Sequence, residues 1–334
     1  MNLENILENA KEREISREEA LYIFRETRTY DKMIRLFQVA SEVRDREVGK
    51  IFKLHGFLGP LTPCTVNPPC KYCSQYKSLS VLTLEEFSTG AKLIEETGTK
   101  AVMVFGGTVV GSDVTEVVDV VKAIKSVSKL DILIDIGPCL SEETLIELKR
   151  LGVKEIGSAF ETINKKLFRE VKPGDSLETK QKFAETIDSI GLRLYTVMMV
   201  GLGGYYSYKD YIDQMFYLKR FKNLCLRVGG FNPSIGTPLK NHPPASPLET
   251  ARTAAIARLI LRDIDIRIAV LDSLSLSILS GGNRAYLGAS IYKAGAMRRS
   301  SWFVGERKII DDLELFNPLP AVTKFVREAG MKVG

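Results

Sequence analysis

Hydrophobic residues in the chain are grouped into short runs separated by longer amphipathic stretches. From residue 51 onwards, eight runs have the length and the apolar composition of buried β-strands. In chain order they are IFKLHGFL (51–58), AVMVFGG (101–107), LDILIDIG (130–137), VKEIGSAFE (153–161), LRLYTVMMVG (192–201), LCLRVGGFN (224–232), IRIAVLD (266–272) and NRAYLGAS (283–290). Their near-continuous apolar character predicts a sheet that is covered on both faces.

The stretches between these runs have the periodicity of amphipathic helices. They include TLEEFSTGAKLIEETG (83–98), VTEVVDVVKAIKSV (114–127), SEETLIELKRLG (141–152) and SLETKQKFAETIDSIG (176–191). Ser141 is a predicted helix N-cap because acidic residues follow it in the first turn. Glycines 98, 152 and 191 stand where helices are expected to end, just before the next strand.

Alternating strands and helices of this length predict an α/β fold with a parallel sheet. The even repetition favours a closed (β/α)8 barrel of the TIM type over an open doubly wound sheet. Residues 1–50 are charged and helical, and we interpret them as an N-terminal extension to a barrel over residues 51–334. In such a barrel the chemistry is expected at the C-terminal ends of the strands.

Charge and composition narrow the range of functions. The formal net charge of +6 is spread without a basic block, so it predicts no nucleic-acid partner and at most a weak preference for anionic small molecules. The sequence has neither an apolar run long enough to span a membrane nor a secretory signal. Five cysteines, an odd number with three of them clustered, predict a reduced, cytoplasmic protein. The chain has two histidines, which disfavours a catalytic centre or a metal site that requires several histidines.

The clustered cysteines lie in CTVNPPCKYC (64–73), directly after the first predicted strand. A structural zinc ion takes four protein ligands, and this loop offers three. A cubane iron–sulfur cluster held by three thiolates keeps one iron open for a small molecule. Zinc stays as the alternative, with a fourth ligand brought from Cys139, Cys225 or a histidine elsewhere in the chain. Prolines 68 and 69 are expected to turn the long first interval of the loop outward.

The loop resembles the cluster loop of radical S-adenosylmethionine (radical SAM) enzymes, whose usual spacing is C-x3-C-x2-C with an aromatic residue before the third cysteine. Here the first interval has five residues. The C-x5-C-x2-C spacing is similar to that of HmdB-type (HcgA) proteins, which are implicated in building the iron–guanylylpyridinol cofactor of [Fe]-hydrogenase. From about residue 20 onwards the chain also resembles biotin synthase and the [FeFe]-hydrogenase maturase of the same barrel type.

The resemblance implies two cofactors and a set of binding residues. Cys64, Cys70 and Cys73 would ligate a [4Fe-4S] cluster. Lys180 falls where relatives carry an arginine for the methionine carboxylate, and Met199 falls where an apolar side chain packs on adenine. The full set of residues implied for S-adenosylmethionine is Tyr72, Gly106, Gly107, Asp135, Glu161, Lys180, Met199 and Asn232. Ordinary structural roles, such as turns, ion pairs, a solvated lysine or a core methionine, stay open for these positions.

The implied reaction is reductive cleavage of S-adenosylmethionine, with a 5′-deoxyadenosyl radical that abstracts hydrogen from a small-molecule substrate. An electron donor such as ferredoxin or flavodoxin would be required. Arg227, which alternates inward with Gly229, and the pair Asn283 and Arg284 are candidate substrate residues. The predicted strands 101–107, 130–137 and 192–201 lack the cysteines that would hold an auxiliary cluster for sulfur insertion. The alternatives are another biotin synthase-like enzyme and a non-enzymatic zinc-binding barrel.

Overall fold

Eight parallel strands form the centre of the computed structural model, which describes residues 1–73, 80–204, 207–269, 274–295 and 305–334. Each strand pairs with the next along the chain. Their bounds are β1 (Ile51–Leu58), β2 (Ala101–Phe105), β3 (Asp131–Asp135), β4 (Glu155–Gly157), β5 (Arg193–Val200), β6 (Leu224–Gly230), β7 (Asp265–Ala269) and β8 (Arg284–Ala285). All eight predicted runs therefore contain a strand. Residues 270–272 of the seventh run lie outside the described residues.

The sheet closes on itself because β1 pairs with β2 on one side and with β8 on the other. At the closure Lys53 lies opposite Arg284 and Leu54 opposite Ala285, both in parallel register. In an open doubly wound sheet, β1 and β8 would not pair with each other. The predicted (β/α)8 barrel is confirmed.

Side chains alternate between the inside and the outside of the barrel, as the two-residue period of a strand requires. In β5, Leu194 and Met198 are buried in the core between strands and helices. Tyr195 and Val197 belong to a separate apolar cluster inside the barrel. Because both faces are covered, the strands have the continuous apolar character seen in the sequence.

Helices follow the strands and cover the barrel. The described α-helices are α1 (Leu3–Glu12), α2 (Arg17–Glu26), α3 (Tyr30–Glu47), α4 (Leu84–Glu96), α5 (Glu116–Val127), α6 (Glu142–Arg150), α7 (Lys165–Val171), α8 (Leu177–Ile190), α9 (Tyr208–Leu218), α10 (Pro247–Ile260), α11 (Leu274–Leu279) and α12 (Leu319–Glu328). Ser141 caps α6 by accepting a 3.1 Å hydrogen bond from the Thr144 amide, and Gly191 ends α8 with a φ of 79°. Of the helices within the described ranges, none combines the length and the apolar character needed to cross a bilayer.

The three N-terminal helices pack on the outside of the barrel. Phe24 of α2 stacks on Tyr208 of α9 with ring centroids 4.6 Å apart, and α3 packs along α10. At the other end of the chain an addition appears that the sequence patterns did not predict. Its strands are β9 (Ser290–Lys293), β10 (Glu306–Ile310), β11 (Leu313–Asn317) and β12 (Lys332–Val333). Of these, β9 and β12 pair with the two ends of β1.

Candidate active site

A cavity of about 340 Å³ opens at the C-terminal end of the barrel strands. It collects residues from the loop after β1 and from the ends of β2 to β6. Its lining includes every residue predicted for the cluster and the nucleoside, namely Cys64, Cys70, Cys73, Tyr72, Gly106, Gly107, Asp135, Glu161, Lys180, Met199 and Asn232, together with the candidate substrate residue Arg227. The cavity lies where the chemistry of a parallel barrel is expected.

The three cysteines are held in place by backbone hydrogen bonds from neighbouring loops. The Thr65 amide donates to the Thr108 carbonyl at 2.9 Å, and the Lys71 amide donates to the Val171 carbonyl at 2.8 Å. All three cysteine residues are partly exposed and line the cavity. Burial raises the pKa of the Cys70 thiol to about 12. A metal that binds there has to displace that proton.

Glycines 106 and 107 allow the cysteine loop to lie against the end of β2. A Cβ atom on Gly107 would overlap with the backbone of Cys64, and one on Gly106 would overlap with Thr62. The Gly107 amide donates to the Thr62 carbonyl at 2.9 Å. Both glycines line the cavity, and the structure shows one reason for glycine at these positions: the close approach of the cysteine loop.

The long first interval of the cysteine loop packs on the segment after α7. Asn67 and Pro68 are exposed, in agreement with the outward turn that the prolines predict, whereas Val66 is buried and lines the cavity. A Cβ atom on Gly174 would overlap with the backbone of Pro68. Gly174 therefore makes room for the two additional residues of this interval.

A network of four buried charges forms one wall of the cavity. Lys172 donates a 2.7 Å hydrogen bond to Glu161 and lies 3.1 Å from Asp175, which in turn lies 3.2 Å from Lys180. Burial opposes the charge of Lys172, but the carboxylates of Glu161 and Asp175 outweigh it and keep the pKa of Lys172 above its ordinary value. Burial likewise opposes the charge of Asp175, but Lys180 and Lys172 hold its pKa below the usual range.

Glu161 has an unusual backbone conformation. Its φ of 59° lies in the left-handed region, which non-glycine residues rarely adopt. The strand-like bonding to β5 continues through it, since its amide donates to Val197 and its carbonyl accepts from Met199, both at 2.9 Å. Backbone strain of this kind is found at functional sites, where the surroundings hold the residue in place.

Asp135 projects from the end of β3 into the cavity. A Cβ atom on Gly157 of β4 would overlap with its carboxylate, so the glycine provides the space that Asp135 occupies. Burial raises the pKa of Asp135 to about 6, although Lys180 acts in the opposite direction. The carboxyl group is therefore poised to gain or lose a proton near neutral pH.

The structure does not bring the other two candidate substrate residues, Asn283 and Arg284, to this cavity. They lie at the opposite, N-terminal end of the barrel. Asn283 donates to Asp265 at 2.7 Å, and Arg284 forms a double hydrogen bond with Glu155 at 2.7 and 2.8 Å. Both side chains are buried and occupied by these partners. Asn283 and Arg284 therefore do not form a substrate wall in this cavity, because they lie at the start of β8 and the cavity lies at the opposite ends of the strands.

Lys172 and Asp175 are the two members of the charge network that the sequence patterns missed. They flank a Pro-Gly pair in VKPGDS (171–176), which has the composition of a solvated turn. No local pattern distinguishes a charge that points to water from one that is buried against Glu161. Cys139 and Cys225 are buried and do not line the cavity, in agreement with their predicted packing role.

Comparison with known proteins decides the family. The family model described as the Radical SAM superfamily matches residues 61–213, which contain the cysteine loop and most of the cavity. An uncharacterized protein of Methanocaldococcus jannaschii is 37% identical over 261 residues, which cover 75% of this chain and 68% of that protein. The chain belongs to the radical SAM superfamily.

Relatives with named functions show which radical SAM enzymes this chain resembles. It is 28% identical to a biotin synthase of Campylobacter hominis, over 79% of this chain and 85% of that one. It is also 28% identical to the [FeFe] hydrogenase maturase subunit HydE of Thermotoga maritima, over 78% of this chain and 75% of the maturase. The crystal structure of methylornithine synthase (PylB) has the same fold, with a TM-score of 0.81 and 19% identity over 98% of this chain and 97% of that chain. The predicted relation to biotin synthase and the maturase is confirmed.

Radical SAM enzymes use a [4Fe-4S] cluster and S-adenosylmethionine, and the residues present fit both. Three thiols reach one cavity from one loop, and soft thiolates suit an iron–sulfur cluster. Within the described ranges, no three His, Cys, Asp or Glu side chains are grouped so that they could bind a single metal ion. A cluster differs in this respect because each thiolate binds a different iron. The family model and the relatives show that the chain is a radical SAM enzyme, which leaves no place for the alternative of a non-enzymatic barrel.

Proposed function

We propose that this enzyme reductively cleaves S-adenosylmethionine and acts in the biosynthesis of the guanylylpyridinol cofactor of [Fe]-hydrogenase, as an HmdB-type protein. One observation carries the proposal: the C-x5-C-x2-C loop and the charged ends of β3 and β4 meet in a single cavity. When bound, the reduced cluster supplies the electron that splits the nucleoside into methionine and a 5′-deoxyadenosyl radical. The electron comes from a donor such as ferredoxin or flavodoxin.

The charged wall provides complementary groups for the methionyl part of the nucleoside. Lys180 and Lys172 offer ammonium groups to its carboxylate, while Glu161 and Asp135 offer acceptors to its ammonium group or to the ribose hydroxyls. The four charges of the network hold one another in place by ion pairs before any ligand arrives. Such preorganisation reduces the cost of ordering side chains on binding.

Three further lining residues are proposed to surround the nucleoside and the cluster. Met199 faces the cavity from the end of β5 and is partly exposed, which suits packing on adenine. Asn232 follows β6, where the Phe231 amide donates to the Val200 carbonyl at 2.8 Å. Tyr72 packs partly on the core beside the third cysteine and helps to exclude water from the cluster.

The assignment to cofactor biosynthesis rests on the spacing of the cysteine loop and on the interior of the barrel. Gly174 accommodates the long first interval, so this spacing is built into the fold. Of the described strand residues that face the interior, Cys225 is the one cysteine, and its sulfur accepts a 2.9 Å hydrogen bond from Arg284. This interior does not suit an auxiliary cluster for sulfur insertion. The 28% identity to biotin synthase supports a second candidate, another radical SAM reaction of cofactor or amino-acid biosynthesis.

Anaerobic reconstitution with iron and sulfide tests the first half of the proposal. We expect about four irons per chain and a [4Fe-4S]+ electron paramagnetic resonance signal that shifts when S-adenosylmethionine is added. Reduction should then release 5′-deoxyadenosine. An unshifted signal at saturating S-adenosylmethionine would contradict binding at the open iron.

The biosynthetic role is tested with the same reduced enzyme and isotopically labelled extract of a cell that makes the guanylylpyridinol cofactor. A metabolite whose hydrogen is transferred to 5′-deoxyadenosine, and which is converted to a precursor of the pyridinol ring, would support it. Extract of a cell without [Fe]-hydrogenase is the control. Transfer from a metabolite present in both extracts would favour the second candidate.

A further inference from the structure

A cation inside the barrel has no role in the site described so far. Arg267 is an inward residue of β7, in register with Arg227 of β6, which lines the cavity. Within the part of the chain that the structure describes, no carboxylate lies in ion-pair distance of Arg267. Among the described residues, its hydrogen-bond partner is the Tyr195 hydroxyl at 3.2 Å. A guanidinium group has five N–H donors, so most of them are available to a ligand.

Aromatic rings hold the Arg267 guanidinium in a fixed orientation. Its central carbon lies 3.8 Å from the ring centroid of Tyr286, and Tyr286 stacks on Phe57 with centroids 4.8 Å apart. Tyr195 approaches Tyr286 edge-on at 6.1 Å. A planar cation stacked on a ring and oriented by a phenol presents its free edge in one direction. The arrangement therefore resembles a prepared binding site more than a space-filling contact.

The interior of the barrel around Arg227 adjoins the cofactor cavity. Gly229 is the next inward residue of β6, and it leaves room for the Arg227 guanidinium, because a Cβ atom there would lie 3.3 Å from it. Ala159 and Val197 belong both to the cavity lining and to the apolar cluster inside the barrel. A substrate can thus touch the interior residues while its other end faces the cofactor.

Charge indicates the chemical class of that substrate. Among the described residues of the cavity lining, three carboxylates are balanced by three cations: Asp135, Glu161, Asp175, Lys172, Lys180 and Arg227. Arg267 adds a positive charge, and no carboxylate of the described ranges lies within ion-pair distance of it. Burial of a cation is costly unless it is paired, and burial does lower the pKa of Arg267. One singly charged anion restores the balance, and a carboxylate matches the planar fork of a guanidinium group.

We propose that Arg267, held by Tyr195 and Tyr286, binds the carboxylate group of a small substrate inside the barrel. This inference rests on the proposed function, since it assigns the substrate class of the same site. The aromatic walls favour a carboxylic acid with an apolar or planar body. A phosphate ester is disfavoured because Arg267 supplies one positive charge, which leaves the second negative charge of a dianion uncompensated inside the barrel.

Calorimetric titration of the full-length protein, before and after reconstitution, tests the assignment with acetate, benzoate, benzamide and inorganic phosphate as probes. We expect benzoate to bind and its neutral analogue benzamide not to bind. Arg267→Met should weaken benzoate binding by about tenfold or more, the effect of a lost charge-assisted hydrogen bond. Arg193→Met is the matched control, because Arg193 also points inward from β5 but pairs with Asp265 at the other end of the barrel.

Three outcomes would overturn the proposal: no binding of either carboxylate, equal binding of benzoate to Arg267→Met, or a preference for phosphate. If Arg267→Met does not fold, Tyr195→Phe removes the hydroxyl that orients the guanidinium, and benzoate should then bind several-fold more weakly. Failure of the proposed function is distinct, since it would appear as a reconstituted protein without a cluster or without S-adenosylmethionine binding.

Discussion

Lys172 and Glu161 form a 2.7 Å ion pair in the wall of the cofactor cavity, with side chains that are 4% and 12% exposed. Lys172 directly follows α7 as its C-cap residue, and Glu161 follows β4 in a left-handed conformation. The pair thus joins the segment that supports the cysteine loop to the strand ends that face the nucleoside. Its buried position makes it sensitive to the loss of either partner.

Glu161→Gln should lower the free energy of unfolding by about 2–4 kcal/mol, because Lys172 stays buried with one carboxylate fewer. The double variant Glu161→Gln/Lys172→Met should recover part of this loss. Urea unfolding of the protein without cluster measures both. The control is Glu178→Gln, which removes an exposed partner of Lys182 and should leave the free energy of unfolding unchanged within error. Equal effects of the two glutamine substitutions would contradict a buried, coupled pair.

Alanine at Cys64, Cys70 or Cys73 should each abolish stable cluster binding, because each thiolate holds a different iron. Iron and sulfide per chain after anaerobic reconstitution measure the effect. Cys139→Ala is the matched control. The thiol of Cys139 is buried outside the cavity lining and donates a 3.2 Å hydrogen bond to the Ile136 carbonyl. A full cluster in any of the three loop variants would remove that cysteine from the ligand set.

Gly107→Ala should displace the cysteine loop, since the added methyl group would overlap with the backbone of Cys64. We expect at least a severalfold loss of bound iron, while the circular dichroism spectrum of the barrel stays unchanged. Gly111→Ala is the control because nothing lies within 4 Å of its Cβ position, although its φ of 76° imposes a modest strain. Normal iron content in Gly107→Ala would show that the loop can shift without losing the cluster.

Asp135 should make the stability of the cluster-free protein depend on pH. Its pKa is raised to about 6 in the folded chain from an ordinary value of 3.8, so the folded state binds the proton more tightly than the unfolded state. Stability is therefore lost as pH rises from about 4 to 6. Asp135→Asn should be more stable than the parent at pH 7, by on the order of 1–3 kcal/mol. Urea midpoints at pH 5, 6 and 7.5 should show this advantage growing; a constant difference would contradict the raised pKa.

Arg284→Met should act on stability rather than on substrate binding. Its guanidinium is fully buried and donates two hydrogen bonds to Glu155. Removal of the guanidinium therefore leaves the buried Glu155 carboxylate without its main partner. We expect a loss of about 3–5 kcal/mol. If that variant does not fold, the double variant Arg284→Met/Glu155→Leu should, because it removes both charges. Urea unfolding checks the effect, and a change below 1 kcal/mol in Arg284→Met would contradict it.

Much of this site could be predicted from the amino-acid sequence alone. The eight apolar runs indicated the barrel because strands buried on both faces leave a continuous local pattern. All parallel strands end at the same rim, so Asp135, Glu161 and the cysteine loop had to meet there. The spacing of Cys64, Cys70 and Cys73 also indicated the chemistry, since ligand number and interval are properties of one short segment.

Other features depend on contacts between segments that are distant in the chain. The local sequence does not predict the burial of Lys172 and Asp175, because a charged turn has the same composition whether it faces water or Glu161. Asn283 directly precedes β8 and Arg284 is its first residue, and pairing with the start of β1 places both at the N-terminal end of the barrel. The position of Arg267 among Tyr195 and Tyr286 requires three strands in register. Packing across the barrel, and not the order of residues, decides which charges find partners and which stay available to a ligand.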